Sequence, residues 1–153
     1  MDKKFMQIKW DKRLKIGNVI IDTDHRLIIA MTNALIVILR HPEEQDALLF
    51  FINELYGFSQ EHFKREEQIQ VRSSFPHYME NKLGHQQLLS ELNSIKESIN
   101  VLAADTDQYS ADHKNNANKI SLCLKDWFVN HIIKSDMKMK GFLPISRVEY
   151  SPY

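Results

Sequence analysis

Apolar residues recur at steps of three and four along four stretches of the chain, and the breaks between them fall at proline, serine and glycine clusters. The first stretch carries His25, Ile28, Thr32, Leu35 and Leu39. The second carries Leu48, Phe51, Leu55, Phe58, His62 and Ile69, with Glu66 four positions after His62. The third carries Asn81, His85, Leu88, Leu92, Ile95, Ile99 and Leu102, and the fourth Ala117, Ile120, Leu124, Trp127 and His131. Each is the inward seam of an amphipathic helix. The spacing predicts helices over about 23–40, 42–71, 76–102 and 112–139, with Asp22 or Thr23 as the first N-cap. His41-Pro42 ends one helix and opens the next, Pro76 opens the third, and "AADTDQYSAD" reads as a turn-rich loop. Residues 1–22 lack a helical period and read as an irregular N-terminal arm, and 140–153 read as a C-terminal tail after Gly141. Short connections favour antiparallel neighbours. The expected fold is therefore all-α, an antiparallel up-down-up-down four-helix bundle occupying one domain over 1–153.

Composition narrows the function classes. With 153 residues, 43% hydrophobic and 26% charged, the chain can bury a substantial core. Lys and Arg total 20, and so do Asp and Glu, which gives no electrostatic case for nucleic acid or an anionic membrane. The apolar run 27–39 is interrupted by Thr32 and Asn33 and is too short to span a bilayer. Cys123 is the single cysteine, so neither an intramolecular disulfide nor a thiolate metal cluster can form. The opening "MDKKFMQIKWDKRL" lacks the apolar stretch of a signal peptide, and a cytoplasmic location is expected. No protein partner is indicated. Phe5, Trp10, Phe142, Tyr150 and Tyr153 in the arm and tail could cover their own bundle or another chain.

The polar interruptions of the seams carry the chemistry. Each helix places one histidine on its inward stripe, namely His25, His62, His85 and His131. In an up-down bundle these lie at one end, together with Glu66, Asn81 and Asp136. Buried polar groups without partners cost about 1–3 kcal/mol each, and an isolated carboxylate far more. A metal ion partners imidazole and carboxylate at once. Carboxylates able to bridge two ions, with terminal nitrogens, suit a non-haem di-iron centre, while zinc and manganese remain open by residue type. Asp136 follows His131 by five positions, roughly 140° around an ideal helix, so spacing alone does not bring the two together. His41 and His113 read as solvated surface, His77 as a surface or helix-start residue, and Cys123 as a small buried hydrophobe.

The motifs "DTDH", "HFKRE" and "WFVNHIIKSD" resemble those of the hemerythrin family, specifically its single-domain bacterial members. The resemblance runs from "WDKRLKIGNVIIDTDH" over most of the chain. It implies two irons joined by an oxo or hydroxo bridge, with reversible dioxygen binding at the iron that keeps an open position. Carried over, it assigns His25 and His62 to the open iron, Glu66 and Asp136 to bridging, and His85 and His131 to the second iron. The family's third histidine on that second iron is replaced here by Asn81. Asn81 could ligate or hold a water, His77 could substitute, or the second metal could be weakly held or absent. The matching oxygen-pocket positions are Ile28, Phe63, Trp127, Phe128 and Ile132. The resemblance implies oxygen storage, delivery or detoxification without catalysis. An oxygen, redox or nitric oxide sensor is the alternative, as is a di-iron oxidase or peroxidase using the position left open by Asn81. The Glu-x-x-His pairs of ferritin-like oxidases do not occur.

Overall fold

A computed structural model describes residues 7–143. It contains four long helices, α1 (Val19–Ile38), α2 (Gln45–Arg72), α3 (Tyr78–Ala103) and α4 (Ala111–Lys134), with short 3-10 turns at Lys12–Leu14 and Asp136–Met139. Helix α2 packs on α1 and α3, and α4 packs on α3 and α1, which closes an up-down-up-down four-helix bundle. The buried core runs through Ile28, Leu35, Ile52, Leu55, Leu92, Ile99, Leu124 and Phe128. Each such side chain withdrawn from water stabilises the fold by about 1.5–3 kcal/mol. No helix among the described residues is long and apolar enough to cross a membrane.

The helix ends differ from the sequence reading in ways that matter for the site. Helix α1 starts at Val19, one turn before the expected Asp22 or Thr23 cap, because Asn18 accepts from the backbone of Ile20 and Ile21. Asp22 serves the arm instead, accepting from Ile16 N at 2.8 Å and Gly17 N at 3.0 Å. Gly17 takes φ +101°, which a side chain would resist. The arm is held again where Ile8 and the Asn33 carboxamide exchange two hydrogen bonds of 2.9 and 2.8 Å. Helix α2 starts at Gln45 and not at Pro42, since successive tight turns at His41 and Glu44 use up the intervening residues. Helix α3 begins at Tyr78 after a turn on Phe75.

The largest departure is at the end of α4. The expected helix to 139 stops at Lys134, and Ser135 (φ −114°, ψ −56°) leads into the 3-10 turn that begins with Asp136. On α2 the buried stripe is Leu48, Ile52, Leu55, Ser59, His62, Phe63, Glu66 and Gln70, so the expected Phe51, Phe58 and Ile69 lie at its half-buried margin. On α3, Ile95 is likewise half-buried. Of the apolar arm and tail residues, Trp10 packs on the core and Phe142 is exposed with an edge on Phe75. Phe5, Tyr150 and Tyr153 lie outside the described residues.

A second, smaller apolar cluster of Ile16, Ile21, Phe75, Met139 and Leu143 closes the bundle at the end where α2 turns into α3. Between this plug and the main core lie the polar side chains described next.

Candidate metal centre

His25, His62, Glu66, Asn81, His85, His131 and Asp136 are all buried, from 0% exposed for His25, His62, Glu66 and Asp136 to 7% for His131. Six of them form two overlapping groups. His25, His62, Glu66 and Asp136 offer atoms within 4.8 Å of one another, and so do Glu66, His85, His131 and Asp136. The two carboxylates belong to both.

Each carboxylate divides its oxygens between the groups. Glu66 Oε2 lies 3.0 Å from His62 Nε2 and 3.6 Å from His25 Nε2, while its Oε1 lies 3.2 Å from His85 Nε2. Asp136 Oδ2 lies 3.0 Å from His25 Nε2, and its Oδ1 lies 2.9 Å from His131 Nε2. The break at Ser135 is what turns Asp136 onto the same side as His131, overriding the 140° offset of a continuous helix.

Apart from the His85 Nε2–Glu66 Oε1 hydrogen bond, these atoms do not satisfy one another. His25 Nε2, His62 Nε2, His131 Nε2, Glu66 Oε2 and Asp136 Oδ2 are buried with no correctly directed hydrogen bond, despite their short separations. Orphaned acceptors and donors at one buried level would cost about 1–3 kcal/mol each. Their convergence fits two cations, each facing two imidazoles and sharing both carboxylates.

Protonation in the metal-free chain follows from the same contacts. Burial acts to lower the His25 pKa, but the nearby Asp136 and Glu66 carboxylates outweigh it and push the imidazole up to about 9. Burial acts to raise the Glu66 carboxyl, yet the close imidazoles of His25, His62 and His85 hold it well below the usual carboxylate range. Asp136 is lowered as well: burial and the Glu66 charge oppose this, and His131 and His25 prevail. Protons on His25 and His62, whose pKa values are raised, thus balance the buried carboxylates, and a cation would displace those protons.

Surrounding side chains fix the rings. Asp24 accepts from His62 Nδ1–H at 3.1 Å and from Arg65 Nε at 2.8 Å, which leaves His62 Nε2 directed into the first group. Phe128 lies edge-on to His25 with centroids 5.3 Å apart. Phe63 stacks on His85 at 4.2 Å, so it flanks the second group as well as His62. Ile28, Trp127 and Ile132 are buried in the adjoining core, and Trp127 Nε1 donates to Leu88 O at 2.8 Å.

Asn81 takes its place beside the second group, bound on both sides of its carboxamide. Its Oδ1 accepts from Gln70 Nε2 at 3.0 Å, and its Nδ2 donates to Ser135 Oγ at 2.9 Å and toward Asp136 Oδ1 at 3.4 Å. His77 is exposed at the start of α3 and pairs with Glu80, away from the site. Two other readings need correction. His113 is buried, not solvated, because its ring bonds Asp105 at 2.9 Å across the loop before α4. Cys123 is exposed and not buried. Sequence reasoning passed over Asp24 and Gln70. Gln70 was within reach of it, since positions 62, 66 and 70 continue one stripe at intervals of four.

A four-helix bundle with histidines from every helix and two shared carboxylates defines a cation-binding bundle protein. Comparison with known proteins agrees: residues 17–143 match the family described as Hemerythrin HHE cation binding domain, and the chain belongs to the hemerythrin family. It is also similar to a hemerythrin-like protein of Naegleria gruberi and one of Naegleria fowleri. Each is 27% identical over 135 residues, covering 88% of this chain and 92% of the relative.

Proposed function

We propose that this chain is a non-haem di-iron protein that binds dioxygen, for storage, delivery or detoxification. The observation that carries this reading is the division of Glu66 and Asp136, one oxygen to each group of imidazoles. His25 and His62 would hold one iron, His85 and His131 the other, and Glu66 and Asp136 both. Such an iron pair supplies reversible redox binding of a diatomic gas.

The chain's own residues support a small ligand. The core side chains Ile28, Phe128 and Ile132 and the plug of Ile16, Ile21, Phe75, Met139 and Leu143 bury the donors on both sides. Burial of this kind keeps out bulk water and any large substrate, which favours gas carriage over turnover of an organic molecule. Asp24 holds the His62 tautomer that leaves Nε2 free for metal. A cytoplasmic setting accords with the unpaired Cys123.

The test is the visible spectrum of iron-loaded protein through repeated cycles of air and argon. An oxygen-dependent band that returns in each cycle supports carriage. Irreversible bleaching in the first cycle contradicts it and favours a sensor or oxidase.

A further inference from the structure

We infer that Gln70, and not Asn81, supplies the donor that completes the second metal position, with Asn81 acting to hold the Gln70 carboxamide in place. The inference rests on the two-metal reading of the site and assigns a residue that the histidine–carboxylate pattern leaves out.

Four observations lead to it. Gln70 is fully buried, and its Oε1 has no hydrogen-bond partner, as is true of the site atoms His131 Nε2, Glu66 Oε2 and Asp136 Oδ2. Asn81 has no such vacancy, because its oxygen accepts from Gln70 and its nitrogen donates to Ser135. The Gln70 carboxamide already borders the second group: its Nε2 lies 3.4 Å from Glu66 Oε1, the oxygen that faces His85. Finally, the residue is firmly anchored. Its backbone carbonyl accepts from Phe75 N at 2.9 Å, and its Nε2 lies 3.1 Å from Met139 Sδ in the plug.

Reach points the same way. An asparagine side chain is shorter than the histidine it replaces, so its oxygen stops short of where an imidazole nitrogen would arrive. Glutamine carries one more methylene and approaches from the neighbouring helix. Turning Oε1 toward the ion needs rotation about the last side-chain torsion, which is soft for a carboxamide. Without a cation, the carboxylates attract the N–H side of both amides, as observed toward Glu66 and Asp136. With a cation bound, the oxygen of Gln70 becomes the favoured face, and the Asn81 amide can then turn its N–H donors toward Gln70.

The experiment is a stepwise anaerobic titration of metal-free protein with Fe(II), read as ions bound per chain and as the dissociation constant of each. Wild type takes up two ions. Gln70→Leu keeps the first and binds the second about 10–100-fold more weakly. Gln70→Glu, which keeps an oxygen at the same reach, retains two. Asn81→Leu weakens the second ion less than Gln70→Leu does. Circular dichroism of each metal-free variant establishes that the bundle is intact, and the Glu variant carries the test should the Leu variant not fold. The inference is overturned if folded Gln70→Leu binds the second ion as tightly as wild type. It is overturned equally if Gln70→Glu loses that ion or if Asn81→Leu costs more. Uptake of only one ion by wild type would instead remove the two-metal reading itself, and this inference with it.

Discussion

Asp24 Oδ2 accepts from His62 Nδ1–H at 3.1 Å and ties that ring, through Arg65 at 2.8 Å, to the outer face of α2. The bond keeps the proton on Nδ1, so that Nε2 is the atom that can give its lone pair to a cation. Burial acts to raise the Asp24 pKa, and the His62 and Arg65 bonds lower it overall, so the carboxylate is charged at neutral pH. Asp24→Leu is expected to weaken the first metal position about 10–100-fold while leaving the helical circular dichroism unchanged. Equal Fe(II) affinity in the variant would show that the ring needs no such support.

Stability of the metal-free protein should depend on pH with a defined sign. His25 rises from 6.5 in the free imidazole to about 9 in the fold, so its contribution is complete below pH 6.5 and is lost between there and 9. Glu66 and Asp136 are lowered, so their contribution is present above the ordinary carboxylate range and is lost as acid protonates them. Metal-free protein should be most stable at roughly pH 5–6.5. Calorimetry should then find Tm falling toward pH 9. Metal affinity should rise over the same interval, because protons and cations compete for the same atoms. A metal-free Tm that climbs from pH 6.5 to 9 would contradict the assignment.

Ser74 has φ +52°, and around it Phe75 N donates to Gln70 O at 2.9 Å and Ser74 N to Val71 O at 3.2 Å. This is the left-handed residue that ends a helix, a position where glycine avoids the side-chain penalty. Ser74→Gly should stabilise by up to about 1 kcal/mol, the left-handed penalty being partly offset by the greater freedom of glycine in the unfolded chain. For a chain of this size that is a Tm increase of about 2–4 °C. A lower Tm would show that Ser74 has a role its backbone does not reveal.

Met139 is fully buried in the plug with Ile16, Ile21, Phe75 and Leu143. Met139→Ala should cost about 2–5 kcal/mol in denaturant unfolding, through lost burial and the cavity left behind. It should also hasten removal of metal by a chelator, since the plug separates the donors from solvent. Wild-type chelation kinetics in a folded Met139→Ala protein would place the entry route elsewhere.

The seams of α1 and α4 were legible because their apolar and histidine positions keep a helical period and every marked residue is buried, from His25 to Leu39 and from Ala117 to His131. The four histidines and Glu66 were legible for the same reason. Asp136 was placed by motif and not by spacing, because only the break at Ser135 brings it to His131, and no single residue type announces such a break. His113 was misread because its partner Asp105 lies across a loop, where periodicity carries no signal. Gln70 escaped notice because an amide on an inward stripe attracts less attention than an imidazole or carboxylate, although its spacing from His62 and Glu66 was in plain view.

Whether Glu66 and Asp136 join two metal ions between four histidines can be read from anomalous diffraction at the iron edge, using crystals of iron-loaded protein. Two iron peaks are expected about 3.5–4 Å apart, the usual spacing of two-metal sites. One should lie beside His25 and His62, the other beside His85 and His131, with both carboxylates touching both. A single peak, or two peaks that do not share Glu66 and Asp136, would contradict this arrangement.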